Sequence, residues 1–223
     1  MATRIHLYKN QLLELCEYIW YNPNFLEKKE VSSLIEKKLN DSCNRNGQGS
    51  ANKANPHEIN FAELLEKFEF YQTKKDTIST LDNGLYYIYQ INGTQKAPDF
   101  TTFKIVDKKM VFRNDFDLKH SNCDTIYFND GWFSDNIIYL INYSQKKEYK
   151  MMLGLGQNIR TEEEHNKILE IRKIKEELNT KYKNTKTNLN IVFRFANQYK
   201  CSFSDELKTS NYTKLIDFIS NSK

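Results

Sequence analysis

Residues 136–144, NIIYLINYS, constrain the fold of this chain more than any other stretch. A strand with one solvated face alternates apolar and polar residues. A continuous apolar run of this length predicts a strand buried on both faces. The chain must therefore build a sheet with cover on either side.

The partners of that strand are legible nearby. At Asp82-Asn83-Gly84, a turn signal, the texture changes from helical to strand-like. Stretches 85–91 (LYYIYQI), 99–106 (DFTTFKIV) and 110–119 (MVFRNDFDLK) are aromatic and β-branched, and 107–109 reads as the turn of a hairpin joining the last two. Residues 151–156 and 189–196 read as further strands. Helical periodicity marks 7–21, with Leu12, Leu15, Cys16, Ile19 and Trp20 on one face, and 29–39, with Val31, Leu34, Ile35 and Leu39. It returns at 60–70, at 161–182 behind a Thr161–Glu164 capping box with Ile168, Ile171, Ile174 and Leu178 inward, and near 211–219. Residues 42–57 hold no large apolar side chain and predict an exposed loop. The expectation is one α/β domain over 1–223 with a mixed central sheet flanked by helices: 1–82 helical, 83–160 the sheet, 161–223 helix–strand–helix completing the core.

Composition removes several functions. With 33 basic and 29 acidic residues among 223, the net charge of +4 is only mildly suggestive of a nucleic-acid partner. The four cysteines, Cys16, Cys43, Cys123 and Cys201, form no CxxC pair, and the four histidines have no zinc-ligand spacing. No apolar run approaches the roughly 20 residues of a membrane span, and the first residues carry no secretory pattern, so the expected location is the cytoplasm.

The chemistry is concentrated in residues 92–119. Pro98-Asp99 opens one strand and Asp117-Leu118-Lys119 ends its hairpin partner, with residues 100–116 between them. The ends of such a hairpin meet, which predicts Asp99 and Asp117 side by side at a sheet edge, with Lys119 on the face of Asp117 and Leu118 on the other. Two carboxylates suit Mg²⁺, which keeps its remaining positions for water and phosphate oxygens. A lysine beside them can orient or help deprotonate an attacking water. Phosphodiester hydrolysis needs such a set.

Pro98-Asp99 … Asp117-Leu118-Lys119 resembles the PD-(D/E)xK nuclease motif, and the surrounding stretch resembles type II restriction endonucleases. The approach NGTQKAPDF and the continuation DLKHSNCDTIYFNDGWFSDNIIYLINYS carry the likeness, over about 85–143. The resemblance implies a restriction-endonuclease-like core and Mg²⁺-dependent, sequence-specific hydrolysis of double-stranded DNA with 5′-phosphate ends. It implies Asp99, Asp117 and the Leu118 backbone carbonyl as metal ligands and Lys119 as the residue that positions the water. A homodimer and a cognate DNA methyltransferase as genetic partner follow from it. The alternatives are a PD-(D/E)xK nuclease of repair or junction resolution, and a non-catalytic DNA-binding domain.

Weaker candidates surround the triad. Gln95 could reach the scissile phosphate or a base edge. Nucleases of this kind often carry a further acidic residue on a preceding helix, for which Glu63, and then Glu66, are the candidates; Asn60 and Glu63 also have capping-box spacing, so a cap explains Glu63 without chemistry. Base readers could lie in 122–135, where Asn129, Asp130 and Trp132 mark a turn. The loop 42–57 and the stretch 156–160 are further candidates.

Overall fold

The computed structural model describes residues 2–42, 53–93, 97–123, 125–129, 132–145, 148–183, 194–198 and 204–221. Three helices come first: α1 (Ala2–Tyr21), α2 (Ser33–Ser42) and α3 (Pro56–Lys67). Strands β1 (Tyr71–Gln72), β2 (Gly84–Tyr89), β3 (Phe100–Val106), β4 (Lys109–Ser121), β5 (Thr125–Asn129), β6 (Ile137–Gln145) and β7 (Glu148–Leu155) follow. The one-turn helix α4 (Gly156–Ile159), the long α5 (Glu162–Tyr182), β8 (Arg194–Gln198) and α6 (Asp205–Asn221) complete the described elements. Among the described residues no helix is long and apolar enough to cross a membrane.

Six strands form one mixed sheet in the order β1-β2-β3-β4-β6-β7. The β2–β3, β3–β4 and β6–β7 pairs are antiparallel, whereas β1–β2 and β4–β6 are parallel. The parallel β4–β6 pair cannot be closed by a tight turn. The intervening chain leaves the sheet, and its strand β5 pairs with β8 in a separate antiparallel ribbon. This corrects the sequence reading in two places. Residues 122–135 contain a strand rather than only a loop. The described part of the strand expected at 189–196 belongs to the ribbon, not to the central sheet.

Strand β6 is buried on both faces, as its apolar run requires, with Ile138, Tyr139, Leu140 and Ile141 all at 1% exposure or less. Its Ile138 and Leu140 join Phe100, Phe116 and Leu118 in a core with Leu12, Leu15 and Ile19 of α1, Ile35 and Leu39 of α2, and Phe61 and Leu65 of α3. Its odd-numbered residues, Tyr139, Ile141 and Tyr143, pack instead with Ile126 and Phe128 of β5 and with Phe133. Cover on that second face thus comes from the ribbon and its neighbouring loop, not only from helices. Helix α6 lies along the edge strand β7, with Leu207 packed against the second core and Leu215 and Ile219 in the first.

Some expected inward residues face water. Leu34 is exposed because the buried stripe of α2 runs through Ile35 and Leu39, and Ile174 is exposed on α5, where only Ile168 is fully buried. Helix α3 starts a turn earlier than periodicity suggested. Asn55 is its N-cap, Pro56 takes the first position, where a missing N–H costs nothing, and the Asn55 N–H donates to Glu58 Oε2 at 2.6 Å.

Candidate active site

Register decides whether Asp99 and Asp117 can act together. The β3–β4 hairpin turns over two residues, Asp107 and Lys108, both in the left-handed region (φ 51° and 62°), as tight hairpins demand. Lys109, expected in the turn, already pairs with Val106. Continued without interruption, that register would bring Asp99 opposite Phe116 and leave Asp117 on the other face. The observed pairs nearer the open end are instead Thr102 with Asn114, Thr101 with Asp115 and Phe100 with Phe116. Between Lys104–Val111 and Thr102–Asn114 two residues of β4, Phe112 and Arg113, stand against Phe103 alone. That is a β-bulge, with Phe112 at φ 53°. The extra residue shifts the register by one, and the next step outward sets Asp99 across from Asp117 on one face.

The bulge is held from the helical layer. The Phe112 ring stacks on Tyr8 of α1, centroids 6.1 Å apart. The Tyr8 hydroxyl accepts from Asn114 Nδ2 at 2.9 Å and donates to the Thr102 carbonyl at 3.2 Å. Tyr8 is 1% exposed, and burial holds its hydroxyl well above the ordinary phenol range.

The carboxylates are not at a sheet edge, contrary to the sequence expectation. They lie where the two central strands meet, because β6 runs along the outer side of β4 and pairs Tyr139 with Asp117. Asp117 is 3% exposed. Asp99 precedes β3 and is held twice: its carbonyl accepts from the Gln90 N–H at 2.7 Å, and its Oδ2 accepts from the Leu118 N–H at 2.8 Å. In an extended strand the N–H and C=O of one residue point toward the same neighbour. The Leu118 carbonyl is therefore turned to the side of Asp99, while the Leu118 side chain enters the helical core.

Lys119 returns to the face of Asp117, as period two requires. Its Nζ lies 2.5 Å from Asp117 Oδ2 and 5.7 Å from the centre of the Phe128 ring. Burial pulls the Lys119 ammonium down, but Asp117 and Asp99 outweigh it and the net shift is upward. The Asp99 carboxyl is raised well above its ordinary value, by burial first and by the Asp117 charge next; Lys119 and the Leu118 N–H oppose this. Asp115, on the same face, accepts from Arg113 and from Thr101 Oγ1 at 2.6 Å.

The helix carboxylate that lies near enough to act on Asp99 is Glu58, not Glu63 or Glu66. Glu63 pairs with Lys28 at 3.3 Å and Glu66 with Lys38 at 2.9 Å. Glu58 is 5% exposed and is one of the charges that raise Asp99. The missed signal was Asn55-Pro56: an N-cap followed by a first-turn proline puts Glu58 at the third helical position. His57 beside it stacks on His120 of β4, centroids 5.3 Å apart, and is lowered to about 4 by burial and by the adjacent His120 and Lys119.

Gln95 and residues 43–52 of the expected loop lie outside the described residues. Asn129 ends β5 opposite Arg194, and its side chain is outside them too. The nearby Trp132 and Phe133 pack with Phe128, and Asp130 lies outside the described residues. In 156–160, Arg160 is occupied by an ion pair with Asp135.

Among the described residues no three His, Cys, Asp or Glu side chains converge as a metal group. Asp99 and Asp117 with the Leu118 carbonyl nevertheless form an all-oxygen set in which one carboxylate pushes the other up. A divalent cation relieves that repulsion, and the donors suit Mg²⁺. No protein-family model, no curated protein and no solved structure matches this chain.

Proposed function

We propose that this chain is a Mg²⁺-dependent type II restriction endonuclease of the PD-(D/E)xK kind, hydrolysing double-stranded DNA to leave 5′-phosphate ends. The observation that carries the reading is the convergence of Asp99, Asp117 and Lys119 on one face of a mixed sheet, in a register that exists only because of the bulge at Phe112. In this reading Asp99, Asp117 and the Leu118 carbonyl hold Mg²⁺, which supplies charge stabilisation at the phosphate and lowers the pKa of the attacking water. Lys119, paired with Asp117 and set over Phe128, orients that water for in-line attack on phosphorus. The P–O3′ bond breaks and the 3′ oxygen leaves as a hydroxyl. Glu58 adds negative charge beside Asp99 and strengthens the site's preference for a cation. Cutting both strands with one site per chain calls for a homodimer, and protecting the cell's own DNA calls for a cognate methyltransferase. Both belong in the cytoplasm.

Incubation with unmodified phage DNA and Mg²⁺ tests the reading. Discrete bands support it. Nicking that depends on DNA structure moves the chain to repair or junction resolution, and the absence of product on every DNA overturns nuclease activity altogether.

A further inference from the structure

A cleft of about 540 Å³ opens beside Lys119, at the far end of β4. That volume lies within the range of about 300–1,000 Å³ typical of ligand-sized clefts. Its lining includes Lys119, His120 and Ser121 of β4, His57 of α3, and Cys123 and Tyr127 on the way to and along β5. Two imidazoles from different elements meet there in a stack. Among the described residues no Asp or Glu is part of the lining. The ring of Tyr127 at the rim is 60% exposed. The nitrogens of His57, Lys119 and His120 can donate to an anion, and an exposed aromatic ring favours a flat or sugar-like group next to it. A sugar–phosphate unit supplies both, whereas a lone phosphate would leave the ring without a contact.

We infer that this cleft seats the sugar–phosphate unit adjoining the scissile phosphate, with His57 and His120 donating to the phosphate and Tyr127 packing on the sugar. This rests on the nuclease reading, because Lys119 belongs both to the cleft and to the hydrolytic site. The subsite would fix the position of the strand on the enzyme, a role that phosphate contacts play without reading sequence.

Cys123, exposed in the lining, reports occupancy directly. The full chain with Cys43→Ser and Cys201→Ser leaves Cys123 as the reactive thiol, since Cys16 is buried. Its alkylation by iodoacetamide is followed alone, with duplex DNA in Ca²⁺ to hold back cutting, and with inorganic phosphate, while fluorescence anisotropy records duplex binding. With duplex at about ten times its Kd, alkylation should slow about tenfold, and inorganic phosphate should leave it unchanged. His120→Ala and the exposed-site variant Tyr127→Ala should each weaken duplex binding by about five- to tenfold, the loss of one hydrogen bond or one ring contact. Tyr127→Trp should restore it. A bound duplex that leaves the alkylation rate unchanged overturns the subsite while sparing the nuclease reading. Protection by inorganic phosphate alone overturns the strand as occupant. Failure of any duplex to bind removes the nuclease reading and this inference together.

Discussion

The Asn114 side chain donates to the Tyr8 hydroxyl at 2.9 Å, tying the first helix to the strand position just beyond the bulge at Phe112. The contact spans most of the first half of the chain and sits where register is decided. Tyr8→Phe keeps the stack on Phe112 and removes the hydroxyl, which should cost about 1 kcal/mol and lower Tm by about 2–4 °C. Deleting Phe112 should do more to folding than to function. It leaves Phe103 facing Arg113 alone and keeps Thr102 across from Asn114, so Asp99 stays across from Asp117. The loss of the Tyr8 ring stack should lower Tm while the folded variant still cuts DNA. A Phe112 deletion whose circular dichroism still reports the sheet but whose cleavage is gone would refute the register argument.

The sequence made much of this architecture legible because burial on both faces leaves an unbroken apolar run, and because Asp82-Asn83-Gly84 marks the change of period. The meeting of Asp99 and Asp117 was anticipated through a turn over 107–109. The chain reaches the same register through a shorter turn and a bulge, since one extra residue in either place shifts the pairing equally. Nothing local in the sequence announces a bulge at a phenylalanine; the Tyr8 contact that holds it is remote in sequence. Glu58 was missed for a different reason. The apolar stripe of α3 begins at Ile59 and Phe61, and periodicity is blind to the polar first turn that Asn55 and Pro56 define.

Asp99→Asn should stabilise the metal-free protein near neutral pH. A carboxyl whose folded-state pKa is raised binds its proton more tightly in the fold. Its contribution to stability is fully present below the unfolded value and is lost as pH rises through the folded one. Asparagine never ionises and still offers an oxygen to the Leu118 N–H. Thermal unfolding in chelator should therefore show a higher Tm for Asp99→Asn at neutral pH, with the advantage fading as pH falls into the ordinary carboxyl range. An equal loss of stability at both pH values would count against charge crowding at Asp99.

Lys119→Ala should impair both stability and turnover. The Asp117 side chain is 4% exposed, so removing its partner leaves a buried charge unpaired, at a cost of about 3 kcal/mol. The double variant Lys119→Ala/Asp117→Asn should recover most of that loss. Turnover should fall by about 10²–10⁴-fold at saturating DNA. Lys119→Arg keeps a charge but not the compact ammonium, and should remain nearly inactive. Wild-type turnover in the arginine variant would reduce Lys119 to a structural ion pair.

Glu58→Gln separates capping from chemistry. Glutamine can still accept the Asn55 N–H, so Tm should change little, while the negative charge beside Asp99 is gone. Asp99 should then titrate lower, moving the acidic limb of the cleavage profile to lower pH, and the rate at saturating Mg²⁺ should fall about tenfold or more. Glu63→Gln and Glu66→Gln, whose partners are Lys28 and Lys38, should leave that limb where it is. A profile shifted by Glu63→Gln but not by Glu58→Gln would return the helix carboxylate to its sequence-based assignment.

Cleavage of unmodified phage DNA by the wild-type chain and by Asp117→Asn, each with Mg²⁺ and with chelator, tests the central claim most directly. Wild type with Mg²⁺ should yield discrete fragments carrying 5′-phosphates, and Mn²⁺ should substitute for Mg²⁺ because the donors are all oxygen. Asp117→Asn should yield none under any of these conditions. Fragments formed by Asp117→Asn at the wild-type rate, or by wild type in chelator, would contradict the proposed site.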